Sequence, residues 1–374
     1  MATPLPVSYP PGALLLIAGT RPEAHKLAPL ARALAWPHRC CWTGQHPEIP
    51  AETVDLDWLQ LPSLPHPLPR RQLERALLHS ILGLLSRQPA AAVVVQGDTA
   101  STHAGAIAAR QTGVPLIHLE AGLRSSDLRS PFPEEIYRRR IARIADLHLA
   151  PSERAVDQLR AESIPPGRIR LVGSTAVDGV RALPALQPAS ARFDLLVDIH
   201  RRENAGHALK RLAHALCALA ESGWRIGLLA HPNGSWCRRW HEVLGPCDGI
   251  QRLPLLSRTE WLALARQARA VLSDSGGAAE ELPYLGVPLL VYRHSCERIE
   301  AIEDGHAVRI DPHQPLALAA RICRAIDRQR WPAAWPFSAA SPYGDGRAGR
   351  RAALAIMDLL RPVAAGLAAE RMTA

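Results

Sequence analysis

Short runs rich in Val, Leu and Ile alternate along this chain with longer segments whose apolar residues recur at helical spacing. Such alternation predicts repeated strand–helix units and parallel sheets. In the first half the predicted strands are Ala13–Ala18, Ala92–Gln96, Pro115–Glu120, Asp146–Ala150 and Ile169–Val172. Helices are predicted between them, over Glu23–Ala35, Arg71–Ser86, Ala104–Thr112, Glu134–Ile144 and Glu153–Glu162. Residues 182–188, Ala-Leu-Pro-Ala-Leu-Gln-Pro, form a linker by composition. The pattern then restarts. Strands over Leu195–Ile199, Arg225–Leu229, Ala270–Ser273, Pro288–Val291 and Ala307–Ile310 alternate with helices near Ala208–Glu221, Arg258–Gln267, Ala278–Leu285 and Pro315–Arg328. A last helix, about Gly346–Leu367, follows the Trp- and Pro-rich stretch Trp331–Pro342. The fold class is therefore α/β, with two successive Rossmann-like halves. In such sheets ligands sit at the carboxyl ends of strands, so candidate chemistry belongs just after them.

Composition narrows the picture. A chain of 374 residues exceeds the usual size of one core, which makes two domains the default. The apolar runs are too short to span a bilayer. Met1–Gly12 is Pro-rich and lacks the basic start and long apolar stretch of a signal peptide, so a cytoplasmic protein is expected. The seven cysteines contain no Cys-x-x-Cys pair, which suits reduced thiols. A net charge of +9 suits an anionic ligand. Nucleic acid is not supported, because aromatics are 5% and the arginines sit in helix patterns and motif loops. Membrane-surface binding is not supported either. Among 44 basic residues only Lys26 and Lys210 are lysines.

Six blocks after strands carry the candidate chemistry. Gly19-Thr20-Arg21-Pro22-Glu23, then Lys26, joins a glycine turn to a helix start, an arrangement that favours anions. A surface helix start with a solvated arginine would read the same way. Gln96-Gly97-Asp98-Thr99 follows a buried-type strand, and Asp98 is expected to cap the next helix. Glu120, in His118-Leu119-Glu120-Ala121-Gly122-Leu123-Arg124, ends an apolar strand, where a lone carboxylate is costly. Pro133-Glu134-Glu135 starts a helix, and acids there commonly just complement the helix dipole. Three carboxylates after consecutive elements can share a cleft and raise at least one pKa toward acid/base use. His200-Arg201-Arg202-Glu203-Asn204 places a histidine and two arginines at a strand end, fit for a diphosphate. His231-Pro232-Asn233 follows another strand. Ser273-Asp274-Ser275-Gly276-Gly277 runs into a helix whose amides can cradle phosphates, with Glu281 a turn later in reach of a ribose diol. There is no metal-binding cluster, nucleophile elbow or redox-cofactor fingerprint.

Taken together, these blocks resemble the non-hydrolysing UDP-N-acetylglucosamine 2-epimerase family, from Gly19 to Gly346 and in the family's order. Gly-Thr-Arg-Pro-Glu stands here at 19–23, Gly-Asp-Thr at 97–99 and Glu-Ala-Gly-Leu-Arg at 120–124. Pro-Glu-Glu stands at 133–135, His-Arg-Arg-Glu-Asn at 200–204 and Asp-Ser-Gly-Gly at 274–277. The resemblance implies a GT-B-like fold whose two parallel sheets face a central cleft. It places one domain at 1–178, with 355–374 packing back on it, and a UDP-binding domain at 179–354. It implies cofactor-free inversion at C2 of a UDP-N-acetylated amino sugar through a glycal, supplying cell-envelope polysaccharide precursors, in a homodimer. Asp98, Glu120 and Glu134 would then be the acid/base set, and His200 would contact the departing phosphate. Arg21, Lys26, Arg138, His231, Ser275, Gly276, Gly277 and Glu281 would complete the UDP and active-site contacts.

Several positions depart from the family pattern. Ile136-Tyr137-Arg138 replaces a small residue followed by Asn-Arg, and Gly173-Ser174-Thr175 replaces Gly-Asn-Thr. Gly276-Gly277-Ala278-Ala279-Glu280-Glu281 loses a Gln amide, and Cys296-Glu297-Arg298-Ile299-Glu300 replaces Thr-Glu-Arg-Pro-Glu. Gln45-His46-Pro47-Glu48 stands where activated members have Gln-His-x-Gln. Four activities fit: UDP-GlcNAc/UDP-ManNAc epimerisation, epimerisation of a modified UDP sugar such as a 2,3-diacetamido uronate, hydrolysis to ManNAc and UDP, and nucleotide-sugar binding or glycosyl transfer. A spare arginine near Ala278–Ala279 would favour the uronate.

Overall fold

Two parallel sheets organise the chain in the computed structural model, which describes residues 12–373 other than 66–67, 126, 129, 185–190, 232–233, 246, 315–316 and 329. Most of the Pro-rich opening, linker residues 185–188, and Pro232 and Asn233 lie outside the described residues. The chain divides into two units, Met1–Gly179 with Ser338–Ala374, and Val180–Phe337.

The first unit holds β1 (Leu14–Ala18), α1 (Arg21–Ala33), β2 (His38–Trp42), β3 (Trp58–Gln60), α2 (Arg70–Arg87), β4 (Ala92–Gln96) and α3 (Ala100–Thr112). It continues through β5 (Leu116–Leu119), α4 (Glu134–Ile144), β6 (Leu147–Ala150), α5 (Glu153–Ala161), β7 (Ile169–Leu171) and α6 (Thr175–Arg181), whose last two residues begin the second unit. Its strands lie in the order β3-β2-β1-β4-β5-β6-β7, all parallel. β1 is apolar at every position and β4 at all but its last residue, Gln96, because both faces of the sheet are covered. Successive residues of β1 alternate between those faces. Leu15 and Ile17 join Val93 and Val95 against α2 and α3, whereas Leu14, Leu16 and Ala18 join Val94 against α1. Burying each such side chain contributes about 1.5–3 kcal/mol.

The second unit runs β8 (Leu195–Asp198), α7 (His207–Glu221), β9 (Ile226–Leu229), α8 (Gly234–Leu244), β10 (Ile250–Leu253), α9 (Arg258–Ala265), β11 (Val271–Ser273) and α10 (Gly276–Glu281). It ends with β12 (Leu289–Val291), α11 (Glu300–Glu303), β13 (Ala307–Arg309) and α12 (Leu318–Arg328). Its sheet has the order β10-β9-β8-β11-β12-β13, again parallel throughout.

The last helix, α13 (Ala348–Thr373), packs on α1 in the first unit. Asp178 accepts the Ala348 and Gly349 amides at 2.8 Å each, satisfying two donors that a helix start leaves open. A side chain at Gly349 would lie 2.5 Å from the Pro29 carbonyl, so only glycine permits this crossing. The helix begins two residues later than predicted and runs further. No described helix is long and apolar enough to cross a membrane.

Three strands escape the sequence pattern. β2 starts with His38 and Arg39, β3 has three residues, and β10 carries Gln251 and Arg252. β3 and β10 are sheet edges, where polar residues reach solvent and weaken the apolar signature. Glu120 is not part of β5, which stops at Leu119.

Candidate active site

Each sheet has one point where the strand order reverses and the loops of two neighbouring strands diverge, the place where open α/β sheets bind ligands. In the first unit it lies between β1 and β4. Gly19 follows β1 where no side chain fits, because a Cβ there would run into the hydroxyls of Thr43 and Ser101. Glu23, buried in the first turn of α1, accepts from Gly19 N at 2.9 Å and Thr20 Oγ1 at 2.8 Å. It also accepts from Thr99 Oγ1 at 2.6 Å and Thr102 Oγ1 at 2.7 Å. Burial pushes its carboxyl above the usual range, against the pull of those four bonds. Glu23 thus pins the loop after β1 to the start of α3. Arg21 opens α1 with its side chain 29% exposed, 3.5 Å from Glu48. Gln45 Oε1 accepts the Ser101 amide at 3.0 Å, so the 45–48 stretch braces α3.

Thr99 caps α3, which corrects the assignment of that role to Asp98. Its hydroxyl accepts the Thr102 amide, and Thr99 N in turn donates to Thr102 Oγ1 at 3.2 Å. Asp98 instead receives Arg138, whose Nε lies 2.7 Å from Oδ2 with Nη2 on the same oxygen. Arg138 also meets Glu135 at 3.2 Å, a fully buried carboxylate that accepts the Ser125 amide at 3.0 Å. Glu134, partly buried, is the first residue of α4, one turn before Arg138.

Glu120 follows β5 with φ at +64°, a left-handed backbone that costs a non-glycine residue about 1–3 kcal/mol and concentrates at functional sites. Its Oε2 accepts Lys26 Nζ at 2.6 Å and the Gln96 side-chain amide. Because Gln96 pairs with Leu119 across β4 and β5, Asp98 and Glu120 leave adjacent strand ends. Each is countered by a cation, Arg138 or Lys26, where sequence alone suggested bare acids repelling one another. His118 sits beneath them, its Nε2 2.8 Å from the Gly97 carbonyl. Burial pushes its pKa down to about 3, so a neutral ring donates that bond and steadies the turn before Asp98.

The second unit repeats the arrangement between β8 and β11. Fully buried Asp274 accepts His200 N at 3.1 Å, Arg201 N at 2.8 Å and Asn204 Nδ2 at 2.8 Å. This carboxylate folds the loop after β8 as Glu23 folds the loop after β1. His200 Nδ1 lies 3.1 Å from Asp198 Oδ1, and its ring stacks on His231 at 4.6 Å. Burial favours the neutral ring, but Asp198 and Asp274 outweigh it and push the pKa up to about 9. His200 is therefore an imidazolium at neutral pH, with Nδ1 held by Asp198 and Nε2–H left to donate.

Ser275, Gly276 and Gly277 lead into α10. A Cβ at Gly276 would collide with the Arg298 guanidinium, whereas one at Gly277 would meet only Ser275 Oγ at 3.8 Å and Glu281 Oε1 at 3.9 Å. The fold demands the first glycine and not the second. Glu281, buried, is held by Arg258 at 2.6 Å. Arg298 is held by Glu280 and, at 2.6 Å, by Glu297. Among the described residues no group of three or more His, Cys, Asp or Glu could hold a metal ion.

The roles of Glu23, Asp274, Asp198, Gln96 and Arg258 are not apparent in the sequence. Gln96, Asp198 and Asp274 are polar side chains at or next to strand ends, a signal visible only once strand limits are known. Glu23 reads as an ordinary first-turn acid of α1. Arg258 carried no signal.

The family model for UDP-N-acetylglucosamine 2-epimerase matches residues 31–357. The UDP-N-acetylglucosamine 2-epimerase of Salmonella typhimurium is 32% identical over 361 residues, covering 89% of this chain and 95% of that protein. The solved structure of the Neisseria meningitidis UDP-GlcNAc 2-epimerase bound to UDP-GlcNAc superposes with a TM-score of 0.80 at 26% identity, covering 93% of this chain and all of that one. The Methanocaldococcus jannaschii enzyme, solved with UDP-GlcNAc and UDP, gives 0.77 at 26% identity over 93% of this chain and 99% of that one. The fold is GT-B-like, and the chain belongs to the UDP-N-acetylglucosamine 2-epimerase family.

Proposed function

We propose that this protein interconverts UDP-GlcNAc and UDP-ManNAc by eliminating and re-adding UDP. The observation that carries this reading is the pair of carboxylates, Asp98 and Glu120, at the ends of adjacent strands, each fixed by a cation. One carboxylate takes the C2 proton. The C2–H electrons form the C1=C2 bond, the C1–O bond breaks, and UDP leaves as an anion. Protonation of the glycal on the opposite face, followed by return of UDP to C1, gives the epimer. Two acid/base groups are required because the two faces of C2 point in opposite directions. Asp98, Glu120 and Glu134 form the set that serves them.

The C2 proton is weakly acidic, so departure of the diphosphate must drive the elimination. The imidazolium of His200, with Nε2–H available, suits that developing charge. Arg21 gives the loop after β1 a partly exposed guanidinium suited to an anion. Ser275 and Gly277 leave room for phosphate at α10, and His231 orients His200 by stacking. Lys26 and Arg138 act on the sugar through the carboxylates they hold. The product suits supply of cell-envelope polysaccharide. Relatives solved with UDP-GlcNAc and UDP support the same ligand class here. A uronate substrate would need a spare cation near Ala278–Ala279. The arginines that reach α10, Arg258 and Arg298, are each committed to a glutamate, which favours the uncharged acetamido sugar.

The test is NMR of the protein with UDP-GlcNAc. A growing UDP-ManNAc pool supports epimerisation; free ManNAc with UDP moves the protein to the hydrolysing class; an inert mixture removes both.

A further inference from the structure

Arg258 is the first residue of α9, and its backbone is fixed by a reciprocal cap in which Ser257 N donates to Glu260 Oε2 at 2.8 Å and Glu260 N to Ser257 Oγ at 3.2 Å. From there its guanidinium reaches Glu281, the last residue of α10. Nε at 3.1 Å and Nη2 at 2.6 Å both land on Oε1, so neither occupies Oε2. Oε1 in turn lies 3.9 Å from the open Cβ position of Gly277, and Ser275 Oγ lies 3.8 Å from the same point. A carboxylate, a hydroxyl and a helix start therefore border one small space. Left bare, the carboxylate would repel any diphosphate entering that space. Bonded through a fork to one oxygen, it is neutralised and held in one orientation.

We propose that Arg258 is a positioning residue for the nucleotide: it neutralises Glu281 beside the diphosphate and turns Oε2 to accept a ribose hydroxyl. The proposal rests on the reading of α10 as the UDP site. The wild type discriminates UDP from 2′-deoxy-UDP or 3′-deoxy-UDP through that oxygen.

Calorimetry with UDP and the two deoxy analogues tests it on the wild type, Arg258→Leu, Arg258→Lys and Glu281→Gln. Arg258→Leu is expected to weaken UDP about tenfold or more and to bring the UDP-to-deoxy ratio close to one, since a charged hydrogen bond and its orientation are both lost. Arg258→Lys keeps the charge without the fork, so it restores affinity more than the ratio. A folded Arg258→Leu protein with unchanged affinity and ratio overturns the proposal if Glu281→Gln still collapses the ratio. Should Glu281→Gln leave the ratio intact as well, the ribose role of Glu281 falls and takes the proposal with it. If Arg258→Leu does not fold, Arg258→Lys decides, and an unchanged ratio there overturns the proposal.

Discussion

Lys26 of α1 and Glu120, just past β5, form a 2.6 Å ion pair with both side chains about nine-tenths buried. Lysine is scarce here: only Lys26 and Lys210 occur among 44 basic residues. A compact ammonium on Glu120 is a contact that the wider guanidinium cannot copy. Removing one partner of a buried pair leaves the other uncompensated, at about 3–5 kcal/mol. Lys26→Met should lower unfolding stability by that order and abolish turnover. Lys26→Arg should recover more stability than activity. Urea unfolding paired with a turnover assay checks both, and a Lys26→Met protein as stable as wild type would show that the pair carries little.

Asp98 is held by Arg138 and does not cap α3, so its loss should spare the helix. Asp98→Asn should cut turnover by about 10²–10⁴, the usual contribution of a positioned acid or base. Its affinity for UDP should stay close to wild type, because the proposed UDP site uses other residues. Turnover above a tenth of wild type would remove Asp98 from the proton-transfer set.

The adjacent glycines should respond in opposite ways. Gly276→Ala forces the new methyl into Arg298 and should lower thermal stability. Gly277→Ala meets nothing closer than 3.8 Å and lies inside α10, so stability should hold or rise by about 0.4–1 kcal/mol. Its methyl would occupy the space proposed for phosphate, so UDP binding should weaken. Thermal melts with and without UDP separate the two effects. A Gly277→Ala protein with full UDP stabilisation would argue that phosphate lies elsewhere.

Why the candidate loops could be read from the sequence, and their supports could not, is clear from particular residues. Parallel strands buried on both faces read as unbroken apolar runs, so β1, β4 and β8 stand out and the loops after them with Gly19, Asp98 and His200 follow directly. Strands that carry polar residues lack that signal: Arg39 in β2, and Gln251 and Arg252 in the edge strand β10, hid two of them. Capping was misassigned because Asp98 and Thr99 are both good caps, and only the fold shows that Arg138 claims the aspartate. The clamps made by Glu23 and Asp274 join segments 76 and 74 residues apart, to Thr99 and to His200, and no local pattern reports that distance.

His200 should titrate far above an ordinary histidine. Its folded pKa of about 9 exceeds the ordinary histidine value of 6.5, so the stability it contributes is fully present below about 6.5 and is lost as pH rises through about 9. Turnover should fall over the same rise, as the cation proposed to face the leaving diphosphate disappears. Imidazole NMR should give a midpoint near 9, and Asp198→Asn should lower it by removing the nearest anion. A wild-type midpoint at or below 6.5 would contradict the ion-pair geometry.

The central claim, that carboxylates of the first unit move the C2 proton of a UDP-activated amino sugar, is tested most directly by hydrogen exchange. UDP-GlcNAc incubated with the protein in D2O should gain deuterium at C2 alone, and Glu120→Gln should abolish that exchange while still binding UDP. Epimer formation without C2 deuterium, or undiminished exchange in Glu120→Gln, would contradict the account.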